Sequence, residues 1–195
     1  AHGAAGGGVP EAGTASAAGP PSELRIPPTL QGVIAARIDR LPPEHKRTLQ
    51  SAAVLGRIFQ QNVLAWLLER EKAGVQLPNS LSDLETRELI RRGTIEWEYL
   101  FKHVITHDVT YSSLLLASRR ELHAVAAEVI EALFPDRVDE LAATLSLHYT
   151  RAEAPAKAGH YLKRAAARAR QTDANDGASA FYRAAREQAA ALPEG

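Results

Sequence analysis

Cysteine and methionine are both absent from this chain of 195 residues. The first absence excludes a disulfide framework, a zinc site with thiolate ligands and a cysteine nucleophile. The second, with Ala1 in first place, leads us to expect a segment of a longer translated product. No apolar run comes near the roughly 20 residues that a helix needs to cross a bilayer, and the N-terminus has neither the charged nor the apolar region of a signal peptide. A soluble, cytoplasmic chain without membrane contact is therefore expected. An excess of one charge is also lacking: 23 Lys and Arg balance 23 Asp and Glu, which excludes a global positive field and leaves any basic function local. What is present is apolar surface, with 45% of residues hydrophobic, enough for one large core or two small ones.

Residues 1–23 hold six Gly, seven Ala and three Pro, with Val9 as their only larger aliphatic. Such a stretch cannot offset its ordering entropy by burial, so a disordered linker is expected over residues 1–25. Gly6-Gly7-Gly8 is no phosphate loop, since neither the following Lys-Ser/Thr pair nor an upstream strand is there. Order is expected from Ile26-Pro27-Pro28-Thr29, with Thr29 as a helix cap and Leu30, Val33, Ile34, Ile38 and Leu41 on one helical face. Pro42-Pro43 ends that helix. A second, from about Glu44, turns Leu49, Ala52 and Ala53 inward and stops at Gly56 in a left-handed cap, with Phe59 packed below.

A third helix is expected through Val63, Leu64, Leu67 and Leu68, followed by a loop from Lys72 to Pro78. Ser80 with Asp83 resembles a capping box for a fourth helix that buries Leu84 and Leu89 and stops at Gly93. Residues Thr94 to Tyr99 alternate at period 2 as a half-buried strand does, with Phe101 continuing as its partner. Helix, helix, helix, then a short hairpin is the order of a winged-helix domain, placed at residues 26–116.

From Val104 the pattern is helical to the end. Ser118 and Glu121 form a second candidate capping box ahead of the stripe Leu122, Val125, Ala126, Val129 and Leu133. Pro135 and Asp136 break it, and Val138, Leu141, Ala142, Leu145 and Tyr149 make the next stripe. A helix from about Ala156 turns Ala158, Tyr161, Leu162, Ala165 and Ala169 inward. Its Ala158, Tyr161 and Ala165 are echoed by Ala178, Phe181 and Ala185, the small-and-aromatic spacing with which antiparallel hairpins of the tetratricopeptide class pack. The fold class expected is mainly α: a winged helix with a short β-hairpin, then over residues 117–195 the opening hairpins of a repeat array.

Three strings carry a family resemblance across residues 26–192. Ile26 to Pro42 is similar to the segment that follows the ATPase core in bacterial signalling ATPases of the STAND class. Leu100-Phe101-Lys102-His103, continuing through Asp108-Val109-Thr110-Tyr111 to Leu115, resembles their phenylalanine-lysine-histidine motif, and Arg119-Arg120-Glu121-Leu122-His123 resembles the next helix start. The resemblance implies a parent that joins a nucleotide-binding core, using ATP or ADP with magnesium, to a winged helix and a tetratricopeptide array, often behind a nucleotide cyclase or protein kinase domain. It implies a regulatory, non-catalytic segment whose partners are the ATPase core of the same parent and a protein at the repeats. His103 would stand where the family's nucleotide-phosphate sensor stands. His107 departs from the family, which usually has an amide there.

His103 and His107, four apart, have the spacing of two zinc ligands, but Val104 stands where the zinc-protease motif requires Glu and no third ligand follows. No metal site and no catalytic residue is assigned. Ser112 and Ser113 have no visible base, and there is no nucleophile elbow. The one local basic surface is Lys157, Lys163, Arg164, Arg168 and Arg170, a candidate partner-binding face. The competing reading is a stand-alone winged-helix transcription regulator that reads DNA through Ser80–Arg92. There Asp83, Glu85 and Glu88 offset Arg87, Arg91 and Arg92, which disfavours nucleic acid.

Overall fold

The computed structural model describes residues 28–171 and 175–190, and the linker expected over 1–25 lies outside the described residues. Among the described residues the architecture is mainly helical, with nine α-helices and one small three-stranded antiparallel sheet. Helix α1 (Pro28–Asp39) leads to α2 (Pro43–Leu55), strand β1 (Ile58–Gln60) and α3 (Gln61–Arg70). Then come α4 (Leu77–Thr86), β2 (Ile90–Arg92), β3 (Glu98–Phe101) and α5 (Val104–Ser112). Helices α6 (Leu116–Leu133), α7 (Ala142–Arg151), α8 (Pro155–Gln171) and α9 (Asn175–Ala190) complete the order.

Local chemistry sets most boundaries. Pro43 opens α2, where its missing N–H is not needed, and Gly56 closes it at φ 129, donating its N–H to Ala52 O. That φ is positive but outside the left-handed helical region, so the cap is a more extended one than expected. Phe134 leaves α6 and Pro135 starts a single 3-10 turn to Arg137. Strand β3 is central, pairing Phe59 with Tyr99 on one side and Ile90 with Phe101 on the other. Alternation then turns Phe59, Tyr99, Phe101 and Ile90 onto one buried face. Phe59 stacks on Tyr99 and meets Phe101 edge-on, at 6.0 and 6.1 Å between centroids.

Several sequence expectations are corrected. Thr29 lies inside α1, and Leu30 and Val33 are 46% and 59% exposed, because the first turns of α1 run past the core that holds Ile34, Ile38 and Leu41. Pro78 and Ser80 lie inside α4: proline is tolerated in a first turn, and the Ser80 N–H bonds Gln76 O rather than starting a helix. Its hydroxyl is buried without a partner, while Asp83 bonds His45 and Arg87. The helix ends at Thr86, so Arg91 and Arg92 belong to β2 and Gly93 to the turn after it. Residues 94–97 form that turn, with Trp97 at φ 64, and the strand starts four residues later than the alternation suggested, at Glu98. Ser118 sits within α6, whose N-cap is Leu115 without a side-chain bond.

The core is continuous along the chain. One cluster joins α1, α2, α4 and the sheet, a second joins α3 to α6, α7 and α8, and a third links Val54 and Leu67 to Leu114, Leu122 and Ala126. Leu55 packs against all three. Helices α2 and α3 thus lie directly on α6, across the division at residues 116 and 117 drawn from sequence. No described helix is long and apolar enough to cross a membrane.

Candidate functional site

Where β3 ends, Lys102 and His103 turn the chain into α5. His103 is exposed and extended at φ −131, and its carbonyl accepts from the Thr106 and His107 N–H groups. It is the residue before the helix, not a member of it, so His103 and His107 do not share a helical face. His107 instead turns inward. Its Nε2 lies 3.0 Å from Ala53 O of α2 and its Nδ1 2.8 Å from Asp108 Oδ1. The ring is wedged edge-on against Phe101 and stacked on Tyr111. Among the described residues no group of three or more His, Cys, Asp or Glu is placed to hold a metal ion.

Tyr111 begins a polar chain that the sequence did not announce. Its hydroxyl oxygen is 2.9 Å from His123 Nε2 on α6, and His123 Nδ1 is 2.9 Å from His148 Nδ1 on α7. His123 is 0% and His148 2% exposed. Arg119 and Arg151 lie over the Tyr111 ring at 4.9 and 5.5 Å. Arg119 also donates to the carbonyls of Ser112 and Leu114, closing the end of α5. Positive charge over Tyr111 favours its hydroxyl as the donor to His123 Nε2, so that His123 Nδ1–H donates to the bare Nδ1 of His148. Burial above all, then the neighbouring His148, Arg151 and Arg119, pushes His123 down to about 3. Burial, with Arg151, takes His148 down to about 4. Both rings are neutral near pH 7.

A second network ties α6 to α7 and α8. Glu131 Oε1 accepts from the hydroxyls of Tyr149 and Tyr161, at 2.8 and 2.6 Å, and those two rings stack at 5.6 Å. Burial first, then the Glu131 bond, pushes Tyr161 up to about 12 and Tyr149 higher still. Lys157 joins this network, donating to the Tyr149 hydroxyl and lying over its ring.

The five basic residues expected to form a partner surface are therefore not equivalent. Lys157 serves Tyr149, and Arg164 pairs with Asp139 at 2.6 Å. The bond from Arg164 lowers the Asp139 carboxyl and that from Arg137 lowers Glu140, with Arg168 adding a weaker pull on both. Lys163 and Arg170 are exposed on α8. Helix α4 carries Asp83 and Glu85 and no Lys or Arg, so as folded it is more acidic than the Ser80–Arg92 stretch suggested. Ser113 donates to Thr110 O and accepts from Gln50, while Ser112 is exposed. The arrangement holds rings and helices in register. No protein-family model matches this chain, and no curated protein and no solved structure is significantly similar to it.

Proposed function

We propose that this chain is a non-catalytic regulatory and protein-interaction segment of a nucleotide-dependent signalling ATPase, of the STAND class whose strings it resembles. In this reading residues 26–116 act as a winged helix and the helices from residue 117 open a tetratricopeptide-like array. The observation that carries it is the order α1, α2, β1, α3, α4, β2, β3 with β3 central in an antiparallel sheet, an arrangement that a winged helix would use. The antiparallel helices that follow pack through small residues: Ala158, Ala165, Ala178 and Ala185 are all buried.

The exposed position of His103 supports a role as the group that meets the phosphates of bound nucleotide in the parent. An imidazole there can donate to a phosphate oxygen. The winged helix would rest on the ATPase core in the ADP state and leave it in the ATP state, and the direct seating of α2 and α3 on α6 would carry that movement to the repeat helices. The test is His103→Ala in the full protein that contains this chain. ADP retention should weaken and basal output should rise. Unchanged ADP retention would overturn the sensor role.

A further inference from the structure

We propose that the chain of Tyr111, His123 and His148 is a proton-operated latch, which holds α7 against α6 and α5 while both imidazoles are neutral and releases it when they take up protons. The proposal concerns this chain alone and does not rest on the role suggested above.

Geometry carries it. Two Nδ1 atoms 2.9 Å apart can share one proton, because one must donate and the other accept. A proton taken up at the bare Nδ1 of His148 sets two N–H groups face to face and turns the bond into a repulsion. The rings are buried, so water does not soften that contact. The groups that face them offer no compensating carboxylate. From α5 comes the Tyr111 hydroxyl, from α6 Arg119 and from α7 Arg151, both guanidinium groups lying over Tyr111. Asp108 is bonded to His107, and Glu153 is paired with Arg120. His148 also lines an open groove of about 130 Å³ with Phe59, Gln60, Ile130 and Thr144, between β1 and the α6–α7 pair. The depressed affinity of both imidazoles for protons agrees with this cost.

The test is amide hydrogen exchange on the 195-residue chain, read as protection factors at pH 7 and pH 5. An imidazole at 6.5 when unfolded and about 4 when folded gives a loss of roughly tenfold or more in α7 protection across that interval. Protection in α2 should fall by clearly less. His148→Asn places a non-titrating amide oxygen near the position of Nδ1 and should reduce the α7 loss by about tenfold, the share that His148 contributes. Equal losses in α2 and α7, or an undiminished loss in His148→Asn, would overturn the latch. Should that variant not fold, imidazole nitrogen shifts in the unsubstituted chain decide the matter. Protonation of His123 and His148 coincident with loss of α7 protection supports the latch, and protonation with α7 protection intact overturns it.

Discussion

The two ends of this molecule are held together by different means. Between α1 and β3 the interior is built from large aliphatic and aromatic side chains, with Ile38, Leu49, Leu64, Leu84, Ile90 and Phe101 all nearly inaccessible. Polar contacts there lie mostly at the surface, as with Lys46 and Asp39 or Lys102 and Glu88, with Glu71, which takes Ser51 and Arg47, as the more enclosed exception. From α6 onward alanine does much of the filling: Ala126, Ala127, Ala142, Ala158 and Ala166 are fully buried. Small side chains let helices approach closely but contribute little area each, about 25 cal/mol per Å² of apolar surface removed from water. Orientation is then supplied by buried polar chains, Tyr111–His123–His148 and Glu131 with its two tyrosines. Shape filling makes the first region depend little on any single polar contact, whereas directional bonds make the second region respond to protons and to the loss of single atoms.

The largest loss is expected in the first region. Phe101→Ala removes a ring that meets Phe59 and His107, and should lower the unfolding free energy by about 3–5 kcal/mol in urea titration. Acid acts on the second. His123 and His148 bind protons more weakly folded than unfolded, so the unfolded state holds more protons below 6.5. The stability these rings give to the α6–α7 pair is complete above about 6.5 and falls as the pH drops toward their folded values, which hydrogen exchange in α7 at pH 7, 6 and 5 will follow. A smaller effect is expected from Glu131→Gln, roughly 1 kcal/mol, because one acceptor oxygen remains. Its clearer mark is Tyr161, which should titrate below its present value of about 12 once the carboxylate is gone, as ultraviolet absorbance can record. Least of all should come from Arg164→Ala. It cuts a surface pair with Asp139 and should leave the unfolding midpoint unchanged within error.

Much of this fold is legible in the sequence where periodicity is long. The stripes of α3, α6, α7 and α8 stand out because burial repeats over two turns or more, and Leu64, Leu67, Leu122, Leu145 and Ala158 fall where the spacing places them. Strand β1 could not be read, since three residues have no period to detect. The β2–β3 hairpin was misplaced because Ile95 and Trp97, exposed in the turn, imitate the alternation that belongs to Glu98–Phe101. Capping boxes at Ser80 and Ser118 were matched by spacing alone, and both fall inside helices that tertiary packing extended toward their N-termini. The histidine pair was out of reach for another reason. His123 and His148 are 25 residues apart on separate helices, each beside an apolar residue that accounts for the local pattern. Only the seating of α7 on α6 brings them together.

The central claim is that this chain serves a nucleotide switch, and the most direct measurement is to read the coding sequence upstream of Ala1. An in-frame glycine-rich phosphate loop ending in Lys-Ser or Lys-Thr, followed by an aspartate-bearing magnesium motif, is the expected result. A start codon just before Ala1, with no nucleotide-binding core in the frame, would contradict the claim.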